Sequence, residues 1–277
     1  MAEALKAVSA TLGRAGLPSP EADTSALLGA LLNATRSELL LYRTRVLSAA
    51  ELGVLEGWVS RRRAREPLQH ILGVAHFYGL TLKVTPDTLI PRPETERLVE
   101  LGLLALKGVT RRRVLDVGTG SGAAALAVKA ERPDAVVWGT DVSGAALGVA
   151  AENAARLELE VSFTCSDLLA AAGVQAFARA ADLLVSNPPY LPETDAATLS
   201  PEVRRDPPGA LFSGADGLEH FRRLTAEALA LLKPGAVCLL ELDPRNVHHA
   251  RAESSAWADA TVYTDLTGRE RFLMLRR

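Results

Sequence analysis

Only two cysteines occur in 277 residues, Cys165 and Cys238. Neither has a partner at the spacing of a zinc site or a redox pair, which argues against both. Both sit in apolar runs and read as free core thiols in a reducing compartment. The five histidines, His70, His76, His220, His248 and His249, show no ligand spacing with Cys or carboxylates. His248 and His249 are adjacent and so diverge on a helix or a strand. Surface or structural roles are the reading for all five, and no metal is expected. No Gly-x-Ser-x-Gly elbow points to a serine hydrolase. Neither charge sign dominates: 31 Lys and Arg face 33 Asp and Glu, for a net charge of −2 and a pI near 6.2. No bulk basic field therefore invites nucleic acid. No apolar run approaches the ~20 residues that span a bilayer, and the N-terminus lacks a signal-peptide pattern. The expectation is a cytoplasmic protein of one or two domains, with 48% hydrophobic residues to build a core.

Residues 1–73 read as an all-helical domain. Leu5, Val8 and Leu12 share a helical face before Gly16-Leu17-Pro18-Ser19-Pro20 breaks the pattern. Further helical stretches carry Ala26, Leu27, Leu31 and Leu32, then Leu39-Leu40, then Leu52, Leu55 and Val59. Arg61-Arg62-Arg63 with Arg65 reads either as a helix end favoured by the dipole or as a partner-binding patch. Residues 74–92 form a β-hairpin linker, with Phe77 and Tyr78 before Gly79. Pro93 then opens a helix, followed by acidic Glu94 and Glu96.

From residue 111 strands and helices alternate. Strands are expected at 114–117, 135–138, 161–164, 181–185 and 236–241, with a closing antiparallel pair at 260–263 and 271–275. Helices are expected at 123–130, 144–155 and 218–232. The alternation predicts an α/β fold, a mainly parallel sheet covered on both faces. Its ligand should lie beyond the carboxyl ends of the strands.

Two turns carry the chemistry. Asp116-Val117-Gly118-Thr119-Gly120-Ser121-Gly122 joins the first of these strands to its helix, where glycines let a ligand lie against bare backbone at a helix N-terminus. The next strand ends in Gly139-Thr140-Asp141, placing a carboxylate 19 residues beyond Gly122. That spacing suits an acid gripping ribose hydroxyls, so the pair points to a nucleoside cofactor. The bland alternative is tight strand–helix packing. The second turn, Asn187-Pro188-Pro189-Tyr190, follows the apolar run Leu183-Leu184-Val185-Ser186. Neither proline can donate to a ladder, and both fix φ near −65°, so carbonyls point in set directions. The result is a rigid cluster of acceptors suited to gripping an –NH₂ group; the alternative is a strand merely stopped by a Pro-Pro turn.

In this order, the glycine turn, Asp141, Ser166-Asp167-Leu168 and Asn187-Pro188-Pro189-Tyr190 resemble a class I S-adenosylmethionine-dependent methyltransferase. The resemblance implies a Rossmann-like sheet of seven strands with helices on both faces, residues 93–277 forming the catalytic domain. It implies that Gly118, Thr119, Gly120, Ser121 and Gly122 wrap the cofactor's amino-acid and ribose portion. Asp141 would bind the ribose hydroxyls, Asp167 and Leu168 would flank the adenine, and Asn187 would serve both cofactor and substrate. Asn-Pro-Pro-Tyr is shared by enzymes that methylate adenine N6, cytosine N4 and glutamine amide nitrogen. Gln69-His70-Ile71-Leu72-Gly73, Phe77-Tyr78-Gly79 and Ile90-Pro91-Arg92-Pro93-Glu94-Thr95-Glu96 resemble the release-factor glutamine methyltransferases. So do Pro201-Glu202-Val203, Ala210-Leu211-Phe212-Ser213-Gly214, Asp216-Gly217-Leu218 and Asp265-Leu266-Thr267-Gly268-Arg269.

That likeness implies methylation of N5 of the glutamine in the Gly-Gly-Gln motif of class 1 peptide-chain release factors. Asn187, Pro188, Pro189 and Tyr190 would hold this glutamine, and residues 1–73 would help dock the release factor. It implies a monomer needing no nucleic acid or membrane. Two departures stand out. Glu241-Leu242-Asp243-Pro244 lacks the Gly and the nearby Gln usual after this strand, and Leu168 replaces a bulky aromatic. The rival readings are an N6-adenine methyltransferase acting on DNA or RNA, a non-catalytic adaptor and a dehydrogenase. The glycine spacing disfavours the last.

Overall fold

A computed structural model describes residues 1–42, 44–108 and 112–277. Arg43 and residues 109–111 lie outside the described residues, and with them the expected start of the alternating pattern at residue 111. The chain divides into two compact units. One comprises Met1–Gly73 with Ser200–Arg205, and the other Val74–Leu199 with Asp206–Arg277.

The first unit holds helices α1 (Ala2–Arg14), α2 (Pro20–Leu32), α3 (Glu38–Leu41), α4 (Ala49–Arg63) and α5 (Leu68–Leu72). Pro20 begins α2 where its missing N–H costs nothing, and Asn33 ends it in the left-handed region (φ 48°). A capping box starts α4: Glu51 N–H donates to Ser48 Oγ at 3.2 Å and Ser48 N–H to Glu51 Oε2 at 2.8 Å. Leu12, Leu27, Leu28 and Leu55 fill the core between these helices. The arginine run is largely used internally. Arg62 is buried and reaches Asp23 at 2.7 Å and Glu202 at 3.0 Å. Arg61 pairs with Glu66 at 2.5 Å, and Arg65 donates to Glu202 at 2.9 Å.

The second unit opens with β1 (Val74–Phe77) and β2 (Leu80–Lys83), an antiparallel hairpin. Its two-residue turn has both φ angles positive, Tyr78 at 48° and Gly79 at 75°, the twist that tight hairpins favour. Next come α6 (Pro93–Ala105), β3 (Arg113–Val117), α7 (Ala123–Glu131), β4 (Val136–Asp141), α8 (Gly144–Arg156) and β5 (Val161–Cys165). After them run α9 (Ala172–Ala180), β6 (Leu183–Ser186), α10 (Glu219–Leu231), β7 (Val237–Glu241), α11 (Val247–Glu253), β8 (Asp259–Thr264) and β9 (Glu270–Arg276). Three short 3₁₀ turns lie between β6 and α10.

The main sheet has seven strands in the order β5-β4-β3-β6-β7-β9-β8. Strands β3 to β7 pair in parallel, and β9 runs antiparallel to both β7 and β8. One apolar layer packs α9, α10 and α11 against the sheet through Phe177, Phe221, Leu224 and Val247; the other packs α6 and α7 through Leu98, Leu101 and Leu126. This is the α/β sheet expected, covered on both faces. The central strands β6 and β7 are buried at every position, which is why they read as uninterrupted apolar runs.

One expectation fails here. Cys238 is buried on β7, but Cys165 is exposed. It ends β5, which is an edge strand lacking the second neighbour that buries a central one. An apolar run alone cannot tell an edge strand from a central one.

Candidate active site

The parallel strand order reverses between β3, whose next strand β4 lies on one side, and β6 on the other. At such a switch point the loops leaving neighbouring strands separate and leave a crevice beyond their carboxyl ends. A cleft of about 210 Å³, open to solvent, occupies that position. Its walls come from Gly118 and Gly120 after β3, Asp141 at the end of β4, Asp167 and Leu168 after β5, and Asn187, Pro188 and Pro189 after β6.

The turn after β3 is held by its own backbone and by two acids, of which Asp116 is buried. Gly118 and Thr119 N–H groups both donate to the Thr140 carbonyl at 2.8 Å. Asp116 Oδ2 accepts from Thr119 Oγ1 at 2.7 Å and from Ala125 N–H at 3.1 Å. Burial pushes the Asp116 carboxyl up to about 6, partly offset by those two hydrogen bonds. Gly118 and Gly120 have φ of 72° and 56°, and a Cβ at either would meet nothing within 4 Å. They therefore present bare backbone to open space. Asp141 is anchored by Gly120 N–H and Ser143 N–H, each at 2.9 Å. One such bond per carboxylate oxygen leaves each with a lone pair for a vicinal diol. These features fit a nucleoside cofactor with its ribose on Asp141.

The turn after β6 is built differently. Ser186 Oγ donates to the Val117 carbonyl at 2.6 Å, tying the two strand ends together. Asn187 Nδ2 donates to Thr95 Oγ1 at 3.2 Å, and Thr95 Oγ1 donates to Glu241 Oε2 at 2.8 Å. Asn187 Oδ1 is buried with no hydrogen-bond partner among the described residues. Such a group is costly unless something completes it, because its water has been stripped away. Burial, above all, raises the Glu241 carboxyl to about 7, while Thr95 and Arg271 act in the opposite direction. Tyr190 lies beside this group, its hydroxyl pushed well up by burial and then by the Glu241 charge.

Backbone pairing fixes the chain beyond Tyr190. Leu191 N–H donates to the Leu211 carbonyl and Ser213 N–H to the Leu191 carbonyl, both at 2.9 Å. Gly217 (φ 80°) sits so close to the Tyr190 carbonyl that a Cβ there would overlap it. That contact is what Asp216-Gly217-Leu218 contributes.

Not every residue expected in the site lines the cleft. Thr119 and Ser121 are buried within the glycine turn, and Gly122 (φ 84°) caps α7 against Leu126 and Ala150. Tyr190 turns away toward Glu241 and Arg271. Asp167 is paired with Arg223 at 2.6 Å, and Leu168 takes a left-handed φ of 48°, unusual for a branched residue. Among the wall residues not expected in the site are Asp87, Thr88 and Leu89 after the hairpin, Pro207, Gly209 and Ala210, and His220. His220 Nδ1 lies 2.9 Å from Ser213 Oγ, which also accepts the His220 N–H at 2.8 Å, and burial lowers its pKa. A Ser and a His seven residues apart gave no signal because the helix start between them sets their contact. Among the described residues no three His, Cys, Asp or Glu side chains converge as a metal site, and no helix is long and apolar enough to cross a membrane.

Comparison with known proteins supplies the family. Residues 3–73 match the model of the PrmC N-terminal domain, and residues 98–203 that of the methyltransferase small domain. A release factor glutamine methyltransferase of Deinococcus radiodurans is 47% identical, over 99% of this chain and 97% of that protein. One from Rhodospirillum rubrum is 41% identical, over 95% of this chain and 81% of its own length. The chain belongs to the release factor glutamine methyltransferase family. Among solved structures, a T. thermophilus 16S rRNA methyltransferase in complex with AdoMet and guanosine has a TM-score of 0.55 at 20% identity, covering 74% of this chain and 49% of that one. At that identity the likeness speaks for the fold this family shares and for nothing finer.

Proposed function

We propose that the protein transfers a methyl group from S-adenosylmethionine to the side-chain amide nitrogen, N5, of the glutamine in the Gly-Gly-Gln motif of class 1 release factors. The observation that carries this reading is Asn187 Oδ1, an acceptor buried at the cleft wall with nothing to accept from among the described residues. A primary amide has two N–H groups; Asn187 Oδ1 takes one and the Pro188 carbonyl takes the other. Accepting both hydrogens fixes the plane of the amide and raises the electron density on its nitrogen, which is otherwise a poor nucleophile. Bound in the cleft, S-adenosylmethionine would supply a methyl group from its positively charged sulfur and leave as S-adenosylhomocysteine, the amide nitrogen giving up one proton to solvent. Gly118 and Gly120 would lie against its amino-acid and ribose portion, Asp141 would take the ribose hydroxyls, and Asp167 and Leu168 the edge of its adenine. Most of the acceleration comes from positioning and matched electrostatics.

In the same reading residues 1–73 dock the release factor, 74–92 link, and 93–277 carry the catalysis. The enzyme works in the cytoplasm as a monomer, without nucleic acid. An adenine N6 amine would satisfy the same acceptors, so the tetrapeptide does not separate the two substrates. The family match of residues 3–73 and the names of the relatives favour glutamine. Mass spectrometry of a purified release factor before and after incubation with enzyme and S-adenosylmethionine tests it. One added methyl on the Gly-Gly-Gln peptide is expected, and an unmodified peptide refutes the assignment.

A further inference from the structure

Thr95, Asn187 and Glu241 are far apart in sequence and meet at one hydroxyl. Thr95 Oγ1 lies 2.8 Å from Glu241 Oε2 and 3.2 Å from Asn187 Nδ2. A threonine hydroxyl has a single proton, and an ionised carboxylate can only accept. The proton is therefore committed to Glu241, and Oγ1 faces Asn187 with a lone pair. Only an N–H can meet that lone pair. Turning the Asn187 amide over would set its Oδ1 against Oγ1, two acceptors with no proton between them.

We propose that Thr95 and Glu241 are positioning residues that lock the Asn187 amide with Oδ1 toward the substrate, building on the glutamine-methylating reading above. This gives Glu241 a place in the site, although the segment it opens, Glu241-Leu242-Asp243-Pro244, departs from the family pattern. It also explains why a hydroxyl stands in the first turn of α6, between the two acidic residues. Asn187 by itself is ambiguous, since its two ends are nearly the same shape and opposite in polarity. A side chain meant to accept from –NH₂ needs something to hold its donor end down.

The lock depends on the charge of Glu241. The groups facing that carboxyl are Thr95 and Glu94 from α6, Arg271 from β9 at 4.0 Å, and Tyr190 after β6. Burial outweighs the arginine and holds the carboxyl up to about 7. Once protonated, Glu241 can donate to Thr95 Oγ1, and the threonine proton then turns to Asn187, where it is met by Oδ1. The amide reverses and shows the substrate two N–H groups. Turnover should therefore fall as the pH drops through neutrality.

The test compares Thr95→Val, Thr95→Ser and Glu241→Gln with the wild type. Measured quantities are kcat and KM on a release factor, S-adenosylmethionine affinity by calorimetry, and the Asn187 side-chain N–H₂ signals by NMR in labelled protein. Thr95→Val should lower kcat at least tenfold with KM and cofactor affinity within about twofold. Thr95→Ser should recover to within about threefold of wild type. The loss of kcat toward acid pH should be present in wild type and absent from Glu241→Gln. The Asn187 N–H₂ signals should titrate near neutrality in wild type and Thr95→Ser, and not in Thr95→Val. Wild-type kcat in Thr95→Val, an equal loss in Thr95→Ser, or Asn187 signals that ignore pH in wild type would each overturn the proposal. The NMR arm needs no substrate, so an enzyme inactive on release factors would refute the glutamine reading while the lock is still decided.

Discussion

The turns after β3 and β6 leave adjacent strands of one sheet, yet their polar groups are satisfied in opposite ways. In the glycine turn the buried acid Asp116 has two donors, Asp141 has two backbone donors, and the Thr140 carbonyl accepts two N–H groups. The acids of that turn are satisfied before any ligand arrives, and the Thr140 hydroxyl alone among these groups is buried without a hydrogen-bond partner among the described residues. In the Asn-Pro-Pro-Tyr turn Asn187 Oδ1 is buried without a hydrogen-bond partner among the described residues. A cofactor-binding surface gains from being rigid and prepaid in hydrogen bonds. A surface that must recognise one –NH₂ group gains from an acceptor left open for it, since any other occupant leaves it unpaired.

The contrast can be broken from either side. The largest effect is expected at the open acceptor. Asn187→Ala should cut methyl transfer by roughly 10²–10³-fold, the scale of losing one preorganised polar contact to the reacting group. Cofactor affinity should stay within a few fold; retained turnover in a labelled-methyl assay would end the assigned role. Asp141→Ala should do the reverse and weaken S-adenosylmethionine by about 10–100-fold, the scale of charge-assisted hydrogen bonds. Unchanged affinity by calorimetry would remove Asp141 from the ribose site. Gly217→Ala should destabilise the fold by about 1–3 kcal/mol, as overpacking against backbone does. It should also lower turnover more than cofactor affinity, because the Tyr190 carbonyl has to move. Thermal melting beside kinetics would show whether the two losses separate.

The smallest effect tests the closed turn. Burial raises the folded-state Asp116 carboxyl to about 6 from its ordinary value of 3.8, so the folded state binds its proton more tightly than the unfolded chain does. Its charge then costs stability progressively as pH rises from about 4 to 6, and no further above that. Asp116→Asn keeps an acceptor for Thr119 and Ala125 and carries no charge. Its stability relative to wild type should improve across that window by up to roughly 3 kcal/mol. A flat difference in denaturant midpoint between pH 4 and 7 would remove the burial argument.

Much of the architecture was legible because local physics dictates it. Gly118, Gly120 and Gly122 adopt positive φ, which their lack of a Cβ anticipates. Pro93 starts α6 where a missing N–H costs nothing, and the run before Asn187 is a strand buried at every position. Other parts were hidden for equally physical reasons. α9 is short and rich in alanine, and although its buried residues Val174, Phe177 and Ala178 keep helical spacing, they span little more than one turn. His220 reaches the cleft through a side-chain bond to Ser213 that propensity cannot register. Ser200–Arg205 groups with the helical unit through Glu202, Arg62 and Arg65, although 137 residues separate Glu202 from Arg65.

By itself the sequence determined the alternation of strands and helices, the two turns that cannot continue their strands, and the residue types beside them. Those follow from φ restrictions, missing N–H groups and apolar period, all of which act over a few residues. Tertiary structure decided that Cys165 lies at an edge, that Tyr190 points to Glu241, and that Thr95 stands between Glu241 and Asn187. Which end of an asparagine is free depends on what packs against the other end, and here that neighbour comes from 92 residues away.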